Sequence, residues 1–126
     1  FINDSKATNV ASSRVAIECF DRDLVVILGG RFKGGRLEDL AEPLHSRGAT
    51  VIALGEAKDE VREALCKSVV VIGVDTMAAA VSLGQSLLPL GGTLLLSPGC
   101  ASLDMFRDYA ERGQVFTREV MKLGDR

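Results

Sequence analysis

The chain has 126 residues, enough for a single domain that can bury roughly two-thirds of the surface its unfolded form exposes. Hydrophobic residues make up 47% and charged residues 25%, the balance of a globular domain and not of a disordered segment. Fifteen Lys and Arg stand against 17 Asp and Glu, and a net charge of −2 excludes a polyanion binder that works by bulk charge, so no nucleic-acid partner is expected. No apolar run approaches the ~20 residues of a bilayer span, and no basic stretch leads into an apolar one at the start, so neither membrane insertion nor secretion is expected. The first residue is Phe1 and not Met, so the chain is expected to be a piece cut at a domain boundary.

In chain order, Ile2 is a candidate for a short edge strand. Ala11, Val15 and Cys19 recur every four residues and predict an opening helix. A continuous apolar run over 24–28 predicts the first long strand. Leu37, Leu40, Ala41 and Leu44 follow at the i, i+3, i+4, i+7 spacing of one helical face. A second apolar run covers 50–54, and Val61 and Leu65 mark a charge-rich helix after it. A third run covers 69–72, followed by a helix marked by Met77, Val81, Gly84 and Leu88. A fourth run covers 93–96. Two closing helices are expected, one carrying Met105, Phe106, Tyr109 and Ala110, the other Phe116, Val120 and Leu123. The apolar runs are continuous and do not alternate, which suits strands buried on both faces of a parallel sheet. The predicted fold is α/β: a three-layer Rossmann-like domain with a mainly parallel sheet flanked by helices and joined by right-handed crossovers.

The three cysteines, Cys19, Cys66 and Cys100, show no CxxC spacing, so neither a disulfide framework nor a zinc site is expected and a reducing compartment fits. The single His45 is expected at the surface. In open parallel sheets ligands bind beyond the carboxyl ends of the strands, and four segments fall there. Residues 29–35 place four glycines around Lys33 between a strand and a helix, where backbone N–H groups and a partial positive charge favour an anion. The segment is neither a GxxxxGK[ST] loop nor GxGxxG in register. Glu56 reads as a solvated loop acid, with a ribose ligand as the alternative. Asp75 is expected to cap the helix that follows it. Residues 97–102 lead into a helix start at which Ser102 can cap or receive a carboxylate; Cys100 reads as a small buried residue, with nucleophilic chemistry as the alternative. At the other end of the chain, residues 3–9 place Lys6 among hydroxyl and amide side chains just before a helix, a further candidate anion site.

These same segments resemble a known family. Asn3-Asp4-Ser5-Lys6-Ala7-Thr8-Asn9 looks like the NDSKATN motif opening the C-terminal domain of the D-glutamate-adding Mur ligases. Gly29-Gly30 with Lys33-Gly34 resembles their GGxxKG turn. Residues 95–106 resemble their LLSPACASFDMF segment, with Gly99 where Ala is usual and Leu103 where Phe is common. Tyr109, Glu111-Arg112-Gly113 and Phe116 continue the pattern. The motifs fall in order and span essentially the whole chain.

The resemblance implies that residues 1–126 are a C-terminal, acceptor-binding domain, with the UDP-binding and central ATPase domains lying outside this chain. It implies an ATP-dependent, ADP-forming amide ligation in bacterial peptidoglycan synthesis, in the cytoplasm. There the carboxylate of UDP-N-acetylmuramoyl-L-alanine becomes an acyl phosphate that the D-glutamate amine attacks. By motif, Thr8 and Lys33 would bind one D-glutamate carboxylate. Ser102, with the backbone around Leu103 and Tyr109, would bind the other, and Asp4 and Lys6 would lie near the nucleotide and its phosphates. No residue of this domain is expected to be catalytic by itself. ATP and magnesium would be held mainly elsewhere, so the isolated domain is expected to be inactive. The residues alone also allow a free-standing Rossmann-like nucleotide-binding module, or a non-catalytic partner-binding domain.

Overall fold

The computed structural model describes residues 1–4, 9–29, 36–88, 92–97 and 108–124. Five strands, β1 (Ile2–Asn3), β2 (Leu24–Gly29), β3 (Thr50–Leu54), β4 (Val70–Val74) and β5 (Thr93–Leu96), form one all-parallel sheet in the order β1-β5-β2-β3-β4. Five helices flank it: α1 (Val10–Ile17), α2 (Ala41–Ser46), α3 (Lys58–Leu65), α4 (Met77–Leu87) and α5 (Tyr109–Gly124). Short 3-10 turns at Leu37–Leu40 and Gly55–Ala57 lead into α2 and α3.

The continuous apolar runs are explained by burial on both faces. Within β2 alternate side chains serve opposite layers. Leu24, Val26 and Leu28 pack with Ile17 of α1, Leu44 of α2 and Val61 and Leu65 of α3. Val25 and Ile27 join Ile52, Leu94 and Leu96 against Met77, Ala80 and Val81 of α4 and Phe116 of α5. The three expected layers are thus α1-α2-α3, sheet, α4-α5. Each fully buried Leu, Ile or Val contributes about 1.5–3 kcal/mol relative to exposure, so the central strands supply much of the stability. Where α4 crosses the sheet, Gly84 lies close against β5: a Cβ there would lie 2.6 Å from Leu94 Cδ1, so the buried Leu94 side chain would have to shift.

The opening helix exists as expected; its buried face is Val10, Ser13 and Ile17, while Val15 is 67% exposed and Cys19 is exposed. Ser13 turns inward because its hydroxyl has a buried carbonyl to bond. Three expectations change. The third strand runs from Val70 to Val74 and lies at an edge, so it is not buried on both faces, and Val70 is 62% exposed. Among the described residues a single closing helix carries Tyr109 and Ala110 as well as Phe116, Val120 and Leu123; Met105 and Phe106 lie outside the described residues. Gly113 does not interrupt it, since a helical glycine costs only ~1 kcal/mol and the buried Phe116 anchors the next turn. Asp75 does not cap α4. Thr76 does, accepting from the Ala79 N–H at 3.1 Å, while Asp75 pairs with the ammonium of Lys58.

Candidate functional site

After β4 the chain returns across the sheet to place β5 on the far side of β2, so the strand order reverses between these two neighbours. Crevices at such reversals are the usual ligand sites of open α/β sheets. The three segments singled out by sequence start from adjacent strands. Residues 3–9 leave β1, residues 29–35 leave β2, and residues 95–106 begin in β5, which lies between them.

Asp4 is fixed at the end of β1. Its N–H donates to the Leu96 carbonyl at 2.7 Å, extending the β1–β5 ladder by one bond. Its carboxylate Oδ2 accepts from the Ser97 hydroxyl at 3.0 Å. The Ser97 hydroxyl also lies 3.3 Å from that of Ser13, which donates to the Ser97 carbonyl at 2.7 Å. Both serines are fully buried. Next to Asp4, the Asn3 amide donates to the Gly113 carbonyl at 2.9 Å and to the Thr117 hydroxyl at 3.1 Å, which brings α5 alongside β1. Asn9 caps α1 by accepting from the Ser12 N–H at 2.8 Å, and Asp108 caps α5 by accepting from the Glu111 N–H at 2.8 Å.

Between β1 and α5 lies a cleft of about 700 Å³ lined by Asn3, Asp4, Tyr109, Gln114, Thr117 and Arg118, with Ala110 and Gly113 at the helix. Of the sequence-predicted site residues, Asp4 and Tyr109 are described, and both line it. Thr8, Lys33, Ser102, Leu103 and Lys6 lie outside the described residues, as does Cys100. Glu56 is exposed in the 3-10 turn after β3. His45 is exposed as expected, its Nδ1–H donating to the Ser68 carbonyl at 2.8 Å. Among the described residues no group of three or more His, Cys, Asp or Glu converges to hold a metal ion.

Sequence reasoning missed three buried polar groups at this edge. Ser13 and Ser97 are two of them. The third is Arg112, 1% exposed, which donates to the Gly29 carbonyl at 3.3 Å where β2 ends. Ser97 stood within a recognised motif and could have been singled out. Ser13 gave no signal, because a serine among aliphatic residues looks like an exposed position.

Fold and cleft together define the class: a Rossmann-like α/β domain with polar side chains gathered at the carboxyl edge of a parallel sheet. Comparison with known proteins narrows it. The chain is 42% identical over 123 residues to a UDP-N-acetylmuramoylalanine--D-glutamate ligase of Chlorobium luteolum, covering 98% of this chain and 27% of that protein. It is 39% identical over 127 residues to the ligase of the same name from Legionella pneumophila, covering 98% and 28%. To that of Chlamydia pneumoniae it is 41% identical over 116 residues, covering 92% and 28%. The chain thus spans between 27% and 28% of the length of these relatives. No protein-family model matches it. Along nearly its whole length the chain is therefore similar to one part of the ligases of that name. No helix among the described residues is long and apolar enough to cross a membrane.

Proposed function

We propose that the chain is the C-terminal, acceptor-binding domain of a bacterial cytoplasmic ligase that joins D-glutamate to UDP-N-acetylmuramoyl-L-alanine with conversion of ATP to ADP and phosphate. The observation that carries this reading is identity of 39% to 42%, along 98% of the chain, to ligases of that name. Two features of the site support it. The three motif segments leave neighbouring strand ends. The cleft beside Asp4 and Tyr109, at about 700 Å³, falls within the range of small-molecule sites.

In this reading the domain holds the nucleophile. D-Glutamate carries two carboxylates and an amine that must stay free. Lys33 and Thr8 bind one carboxylate; Ser102 and the backbone near Leu103 and Tyr109 bind the other. Two separated anion sites fix the rotation of the molecule and aim its amine at the acyl carbon, and positioning of this kind supplies much of the rate of an acyl transfer. The amine displaces phosphate from the acyl phosphate through a tetrahedral intermediate, losing a proton as the amide forms. Asp4 and Lys6 lie on the side of the nucleotide, where a lysine offsets phosphate charge. The sequence has no GK[ST] loop, and in this reading ATP and magnesium are held mainly by parts of the ligase outside this chain.

The test is Lys33→Ala in the intact ligase. The expected result is a KM for D-glutamate at least tenfold higher with the KM for ATP within about threefold of wild type, a loss of one charge-assisted contact. Unchanged KM for D-glutamate and unchanged kcat would refute the assignment of Lys33. Tight NAD binding by the 126-residue chain in calorimetry would favour the nucleotide-module reading instead.

A further inference from the structure

Two hydrogen bonds, one buried and one half-buried, join Ser13, Ser97 and Asp4 and connect positions 84 and 93 residues apart. Ser13 and Ser97 are 0% exposed. A buried hydroxyl without a partner is costly, and an alanine at either position would fit the packing without that cost. Their proton pattern is determined by the available acceptors. Ser13 donates to the Ser97 carbonyl at 2.7 Å, which leaves the Ser97 hydroxyl hydrogen for the Asp4 carboxylate at 3.0 Å. The Asp4 N–H donates in turn to Leu96 at 2.7 Å. Asp4 is therefore held at its backbone and at one carboxylate oxygen, while the residue lines the cleft.

We infer that Ser97 and Ser13 form a latch that positions Asp4, the last described residue before the segment bearing Lys6 and Thr8, against the carboxyl end of β5. The inference rests on the functional reading above and deepens it. The two serines are positioning residues that touch no substrate. They hold the end of β1, where Asp4 lines the cleft, against the end of β5. Within the latch the Ser97 bond is the stronger, because its acceptor is charged. The neighbouring Asn3 bonds to α5 leave the Asp4 carboxylate untouched.

The experiment compares Ser97→Ala with Leu65→Ala, a substitution in α3 that lowers stability from the layer away from the cleft. In the intact ligase Ser97→Ala is expected to raise the KM for D-glutamate at least tenfold, while Leu65→Ala lowers Tm and leaves that KM within twofold. Ser13→Ala, which spares the Asp4 bond, is expected to raise it about threefold and carries the test if Ser97→Ala does not fold. A KM no higher in Ser97→Ala, or in Ser13→Ala used in its place, than in Leu65→Ala overturns the inference. In the 126-residue chain, hydrogen exchange of the Asp4 amide is expected to quicken at least tenfold in Ser97→Ala with β2 and β3 amides unchanged; exchange within twofold of wild type also overturns it. If the wild-type ligase does not consume D-glutamate, the functional reading fails, and this exchange measurement still decides the latch.

Discussion

At the end of β2, Gly29 lies against the backbone of β3. A Cβ there would sit 2.2 Å from the Leu54 carbonyl oxygen, and that oxygen belongs to a strand paired residue by residue with β2. No side-chain rotation relieves such a clash; the two strands would have to part. Gly29→Ala is expected to destabilise the chain by about 2–3 kcal/mol, read as a lower urea midpoint at unchanged slope. The Gly29 carbonyl also accepts from the buried Arg112. So the glycine that opens the Lys33 turn is fixed from two sides, whereas sequence alone suggests only its freedom. Motif resemblance pointed to Asp4 and Tyr109, which line the cleft. It gave no role to Ser13 or Arg112, whose partners lie 84 and 83 residues away. A polar residue becomes a core residue only when such a distant partner satisfies it, and spacing along one helix cannot report that.

Among the elements, α1 separates what periodicity can show from what it cannot. Ala11, Val15 and Cys19 repeat regularly, yet the helix buries the stripe through Val10, Ser13 and Ile17. The two stripes lie on different sides of the same helix, and the aliphatic one at Val15 is largely exposed. Val15→Lys is expected to change stability by no more than about 0.5 kcal/mol, whereas Ile17→Ala should cost about 2–5 kcal/mol. Equal costs in thermal or urea unfolding would restore the face that periodicity suggests. The strands were more legible. Four of the five were marked by continuous apolar runs, because burial on two faces leaves no room for alternation. The run at 69–72 carried the same pattern but forms an edge strand, so composition distinguished strand from helix without distinguishing centre from edge.

For the whole molecule, strand position orders local stability. β2 is paired on both sides and buried along its length, while β1 and β4 form the edges. Native-state hydrogen exchange is expected to be slowest at Val26 and Ile27, approaching global unfolding, and faster by at least tenfold at paired amides of β4. A uniform rate along all strands would contradict that gradient. The strand order also has a temporal side. Within this chain β1 is synthesised before the other strands, but among the described residues its sheet neighbour is β5, which follows all of them. Asp4 cannot meet Ser97 until the 93 residues from one to the other have been added. The β1 wall of the cleft is therefore assembled late although it is translated before the other strands, and a nascent chain stalled before β5 would hold β2, β3 and β4 ready while β1 waits.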